Sequence, residues 1–115
     1  MIIIAGTIDF DSRESRDGAV EAGLALQQGT RDGEAGCEAY VFAADPCVDT
    51  RVVVYERWRD EASLAAHFDH PNYHGMLALL GRFGIAAADV EKHRCDLAEP
   101  VYDDTRTPRA DFFTG

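Results

Sequence analysis

The sequence predicts an α+β fold of ferredoxin-like order, β-α-β-β-α-(α)-β, with an antiparallel sheet and helices on one face. Three observations carry that prediction. Strand-like segments open the chain, recur as a pair in its middle and return near its end. Helix-like segments separate the first strand from the second and the third from the last. The third strand-like segment is apolar on both faces, as in a sheet covered on both sides. Helices supply one cover, and a second copy of the chain is the simplest supplier of the other, so the pattern argues for a homodimer.

Residues 1–10 read as the first strand, with Ile2, Ile4, Ile8 and Phe10 on one face and Gly6 between them. Asp11-Ser12 offers an N-cap, and Glu14, three residues after Asp11, completes a capping box. The helix expected from there to about residue 31 has a narrow apolar face of Ala19, Val20 and Leu24, extended by Ala22 and Leu26. Gly18 and Gly23 weaken it by about 1 kcal/mol each relative to Ala, or allow it to pack closely on a sheet. A turn over residues 32–36 leads into a second strand over 37–44. Asp45-Pro46 starts a loop, and residues 51–58 form the third strand. There Val52, Val54, Glu56 and Trp58 alternate with Val53, Tyr55 and Arg57. Asp60 caps a short helix to about residue 69, with Leu64 and Phe68 as its i, i+4 apolar pair and His67 beside them. Pro71 disfavours the α conformation at His70 and suits the first turn of a further helix over 72–83. That helix turns Tyr73, Met76, Leu77 and Leu80 inward, and Gly84 ends it. The last strand lies within 85–97, most clearly over 89–97. Residues 1–99 are thus expected to form one domain and 100–115 a tail. Val101, Tyr102, Phe112 and Phe113 make the tail too apolar for a purely solvated extension, so it is expected to dock on a partner or along the sheet edge.

Eleven basic residues stand against 21 acidic ones, a formal charge of −10. Such a surface repels phosphate backbones and anionic lipid, so neither nucleic acid nor membrane is expected as a partner. The longest apolar run, at 1–5, is too short for a bilayer and lacks the basic flank of a signal peptide, and a cytoplasmic location is expected. Cys37, Cys47 and Cys95 show no CxxC spacing and read as reduced thiols, with Cys37 and Cys95 as small core residues rather than nucleophiles. His67, His70 and His74 have a spacing that would suit a metal on one continuous helix, but Pro71 interrupts it, and no metal site is expected. No GxGxxG, P-loop, GxSxG or HExxH occurs, so no cofactor is expected either.

Glu34-Ala-Gly-Cys37, then Tyr40, then Glu56-Arg-Trp58, then His67 eleven residues after Glu56, resembles the antibiotic biosynthesis monooxygenase family over residues 1–98. The resemblance implies a dimeric α+β barrel, two ferredoxin-like subunits packed sheet to sheet. It also implies one of several chemistries: cofactor-free oxygenation of aromatic polyketides, quinol oxygenation, or haem degradation. Where the haem-degrading branch has an asparagine, a tryptophan and a ligating histidine, this chain has Thr7, His67 and Leu77, which disfavours haem.

Glu56 and His67 are the sharpest candidate pair. One reading makes His67 a general base oriented by Glu56. The other makes them a buried polar pair that pins helix to sheet. Tyr40, Trp58, Phe68 and Tyr73 are candidate walls of a flat cavity for an aromatic or hydrophobic ligand, or simply core. The expected activity is cofactor-independent oxidation of a quinol or polycyclic phenol by molecular oxygen. The alternatives are a non-catalytic dimer that binds a small hydrophobic ligand, and an isomerase or lyase on the same scaffold, similar to muconolactone isomerase.

Overall fold

The computed structural model describes all 115 residues. Its elements are β1 (Ile2–Phe10), α1 (Arg13–Ala22), α2 (Leu24–Gly33), β2 (Cys37–Ala44), β3 (Arg51–Trp58), α3 (Glu61–Phe68), α4 (Pro71–Phe83) and β4 (Ile85–Arg94). The sheet order is β2-β3-β1-β4, with every neighbouring pair antiparallel, the expected ferredoxin-like arrangement. The helices lie on one face, and the core between them and the sheet includes Ile2, Ile4, Ile8, Phe10, Val54 and Trp58. The opposite face carries Ile3, Val53 and Tyr55, and the last two keep 39% of their surface exposed.

The first helical region departs from the sequence reading in three ways. It is two helices, because the chain turns at Gly23, whose N–H still bonds Ala19 as α2 begins. Its N-cap is Ser12, which accepts from the Ser15 N–H, so Glu14 has no part in a capping box. Leu24 is exposed, while Arg16, Gln27 and Thr30 are buried. Backbone groups explain this inversion. Arg16 donates to the carbonyls of Asp45, Val48 and Arg51 and closes the β2–β3 loop. Gln27 exchanges two 3.0 Å bonds with the main chain of Phe42, and Arg31 donates to the Tyr40 carbonyl at 2.7 Å. Residues 27 and 31 stand one turn apart on α2 and together cover the free edge of β2, which would otherwise be open to another strand.

Asp60 caps α3 as expected, by accepting from Ser63 N, and Pro71 opens α4. In α4, Leu79 takes the buried position expected for Leu77, which is half exposed. α4 packs chiefly on α1, α2 and α3 and so stands off the sheet. β4 ends at Arg94, three residues short of the expected limit, and is exposed along its whole length because no helix covers it. Beyond it, Glu99 accepts from the N–H groups of Phe113 and Thr114, and Tyr102 bridges to Pro108.

Candidate functional site

The space that α4 leaves above the sheet is a cavity of about 380 Å³. Strand register builds its floor. Tyr40, Glu56, Ile4 and Lys92 are aligned neighbours across β2, β3, β1 and β4 and form one row on the helix side. Phe42, Val54, Gly6 and Val90 form the next row. The roof is His67 and Phe68 from α3 with Tyr73, Met76, Leu77 and Leu80 from α4. Most of the lining is apolar; of its charged or ionisable groups, Glu91 and Lys92 stand at the β4 end and Glu56 and His67 at the β2–β3 end.

His67 is the centre of that end. Its ring is 2% exposed and lies 4.5 Å from the Trp58 ring and 5.4 Å from each of the Tyr40 and Tyr73 rings, centroid to centroid. Its Nδ1–H donates to Glu34 Oε1 at 2.7 Å. A carboxylate oxygen accepts, so Nδ1 carries the proton of this bond, and in the tautomer that it selects Nε2 is the nitrogen with the lone pair. Nε2 has no hydrogen-bond partner and is not a sealed atom, so the little surface this cavity-lining residue keeps includes Nε2. Asn72 Nδ2 donates to the other oxygen of Glu34 at 3.1 Å, and His70 caps α4 by accepting from Asn72 N.

Glu34 reaches His67 because of the turn after α2. Gly36 has φ +83, and a side chain there would collide with Ser63 of α3. Its carbonyl accepts from Arg59 N at 2.8 Å. Only glycine permits both this backbone conformation and this closeness. The turn therefore seats the end of α2 against α3 and buries the Glu34 side chain to 6% exposure.

The structure corrects the expected Glu56–His67 bond. Glu56 Oε1 instead accepts from the Trp58 indole N–H at 2.9 Å, and no Glu56 oxygen lies within ion-pair distance of His67. Residues two apart on a strand share a face, so Trp58 competes for Glu56 on its own element. Both Glu56 and His67 line the cavity, as do Tyr40, Phe68 and Tyr73. Trp58 does not: it is wholly buried and holds Glu56 rather than forming a wall. Burial pushes the Glu56 carboxyl up to about 7, with Glu34 adding to the rise and the Trp58 N–H opposing it. Burial, with Glu56 and Glu34 nearby, also raises the Tyr40 phenol. Cys37 has its thiol raised chiefly by burial, and all three cysteines are free.

Sequence reasoning quoted Glu34 in a motif but gave it no role. The available signal was a carboxylate at a helix C-terminus, where the helix dipole disfavours it unless a cation or donor answers it. Lys92 was also missed, because an exposed edge strand offers no periodicity that marks one residue out.

The fold and this cavity define a ferredoxin-like α+β domain with a carboxylate-held imidazole at one end of an apolar chamber. The family model of the antibiotic biosynthesis monooxygenases matches residues 1–79, and the chain belongs to that family. Solved structures with the same fold include a candidate antibiotic biosynthesis monooxygenase from Deinococcus radiodurans, with TM-score 0.78, 19% identity, and coverage of 90% of this chain and 100% of that one. Another from Caulobacter crescentus, described in the same words, gives TM-score 0.73 at 18% identity over 85% of this chain and 90% of its own. A conserved protein from Methanosarcina mazei gives 0.72 at 19% identity, over 83% and 92%. No curated protein matches the sequence. No helix is long and apolar enough to cross a membrane.

Proposed function

We propose that this chain is a monooxygenase that oxidises a quinol or polycyclic phenol with molecular oxygen, without a cofactor, as a homodimer. The observation that carries the reading is the Glu34–His67 pair, which leaves a basic Nε2 at the end of an apolar, aromatic-walled chamber. A phenol bound there loses its proton to Nε2, and Glu34 stabilises the imidazolium that forms. The electron-rich anion then gives an electron to oxygen. For a hydroquinone the balance is hydroquinone plus O₂ to hydroxyquinone plus water, with all four electrons drawn from the substrate. The chamber contributes by excluding water from the anion. Glu56, poised near 7, supplies or accepts a second proton. Ile3, Val53 and Tyr55 on the open sheet face are the contact for the second subunit.

The same two proton-active groups favour a second reading, an isomerase or lyase that moves a proton between carbons and uses no oxygen. Oxygen uptake with a panel of hydroquinones and naphthols separates the two. The proposal expects uptake matched one to one by hydroxylated product and abolished in His67→Ala. Solvent-proton exchange into the ligand without uptake sustains the isomerase, and tight binding with neither sustains a ligand carrier.

A further inference from the structure

We propose that the occupant of this cavity carries an acidic group, a carboxylate or similar anion, which Lys92 and Arg94 receive at the end remote from His67. The inference rests on the reading of the cavity as an aromatic-ligand site and adds the charge of the ligand to it.

Strand register sets the geometry. Glu56, Ile4 and Lys92 are adjacent on β3, β1 and β4, so Glu56 and Lys92 share a face two strand spacings, about 10 Å, apart. Ile4 is the apolar floor between them. Trp58, Ile2 and Arg94 repeat the pattern in the neighbouring row. A fused two-ring molecule with a phenol at one end and an acid at the other spans such a row.

The cavity also continues in that direction. A groove of about 600 Å³ adjoins it and shares Phe68 and Lys92 with it. Ile2, Leu64 and Ala65 give the groove an apolar base, and Lys92, His93 and Arg94 line one side.

The charge balance marks these cations out. The chain holds ten more acidic than basic residues, so its cations are expected to find carboxylates. Arg13, Arg16, Arg51, Arg57, Arg59 and Arg109 do. Arg31 bonds a carbonyl and Arg82 lies over the Phe83 ring. Lys92, Arg94 and Arg106 alone make no such contact, and two of these three stand together at the groove. Glu61 and Glu91 also border the two cavities, yet neither comes within ion-pair distance of Lys92 or Arg94. A charged edge strand discourages unwanted strand pairing, but either face of β4 would serve that purpose. These two cations lie on the helix-facing side, in register with Glu56 and Trp58.

The test is calorimetric titration of the full-length protein with 6-hydroxy-2-naphthoate and with 2-naphthol, which lacks the acid. The acid is expected to bind about tenfold more tightly at low salt, the scale of two part-exposed ion pairs. That advantage should disappear in ~1 M NaCl, where screening is nearly complete. It should also disappear in the Lys92→Gln/Arg94→Gln variant. Lys92 is the only lysine, so amine acetylation read at residue 92 gives a second measurement in the unmutated chain. The acid should slow it and 2-naphthol should not. Equal affinities, an advantage that survives the double substitution, or equal effects on acetylation would each overturn the inference and leave the aromatic site standing. Failure of both ligands to bind would overturn the inference together with the reading beneath it.

Discussion

Two buried carboxylates serve this cavity, and they are answered differently. Glu34 receives an imidazole N–H and an amide N–H, whereas Glu56 receives one indole N–H and also faces the charge of Glu34. Desolvation therefore dominates at Glu56, and its carboxyl rises from an ordinary 4.5 to about 7. Between those values the folded protein holds a proton that the unfolded chain has lost. The resulting stability is full below the unfolded value and is lost as the pH rises through the folded one. The loss is about 3 kcal/mol, at ~1.4 kcal/mol per unit. Glu56→Gln should remove this slope, so that the difference between wild type and variant in urea midpoint changes from about pH 5 to pH 8. A constant difference across that range would mean that Glu56 ionises in the folded state as it does in the unfolded chain. The pairing itself was only half legible in the sequence. Alternation placed Glu56 on the helix side, and helical spacing placed His67 above it, but neither signal ranks partners. Trp58 was the nearer donor for Glu56. The partner of His67 came from a turn 33 residues away, a separation that no local period encodes.

At the scale of elements, the Gly36 turn decides whether the imidazole is held. Gly36→Ala adds a side chain at a left-handed residue and drives it into Ser63. The cost should be at least 1–3 kcal/mol, the usual range for a residue forced into that region. Displacement of α3 should also separate His67 from Glu34. Thermal melting together with the His67 ring proton shifts checks both parts, and an unshifted melt with unshifted ring protons would show that the turn tolerates a side chain. Strands over 37–44 and 51–58 were readable to the residue because both are short runs rich in β-branched and aromatic residues and the flanking turns are rich in Gly, Asp and Pro. The region of α1 and α2 was not. Its inward face is polar, since Arg16, Gln27 and Arg31 satisfy backbone atoms of a loop and an edge strand, and apolar periodicity cannot report such a role.

The molecule as a whole is extended, 46 by 33 by 21 Å, with a radius of gyration of 16.0 Å. A compact domain of this length would have about 13 Å. Two features account for the difference. One sheet face lacks a covering layer, and the chain beyond β4 folds on itself with Val101, Tyr102 and Phe112 more than half exposed. Both fit the proposed dimer, in which the open faces meet over more than about 1,600 Å² and the tail of each subunit lies on its partner. Truncation after Glu99 should then weaken association in sedimentation equilibrium and lower the melting temperature. Unchanged values for both would make the tail an independent appendage. The fold was legible because topology follows from the order of elements. The second layer of cover was legible only as a need, since a sequence shows that a face is apolar but not what meets it.

The central claim is that His67 Nε2 takes a phenolic proton inside this cavity. 4-Nitrophenol tests it optically, because its absorption band shifts when it ionises. With the protein in excess and the pH held below the phenol's own pKa, wild type should show the band of the bound phenolate, and His67→Ala should bind the neutral phenol without it. A bound phenol that shows the same neutral band in both proteins would contradict the account.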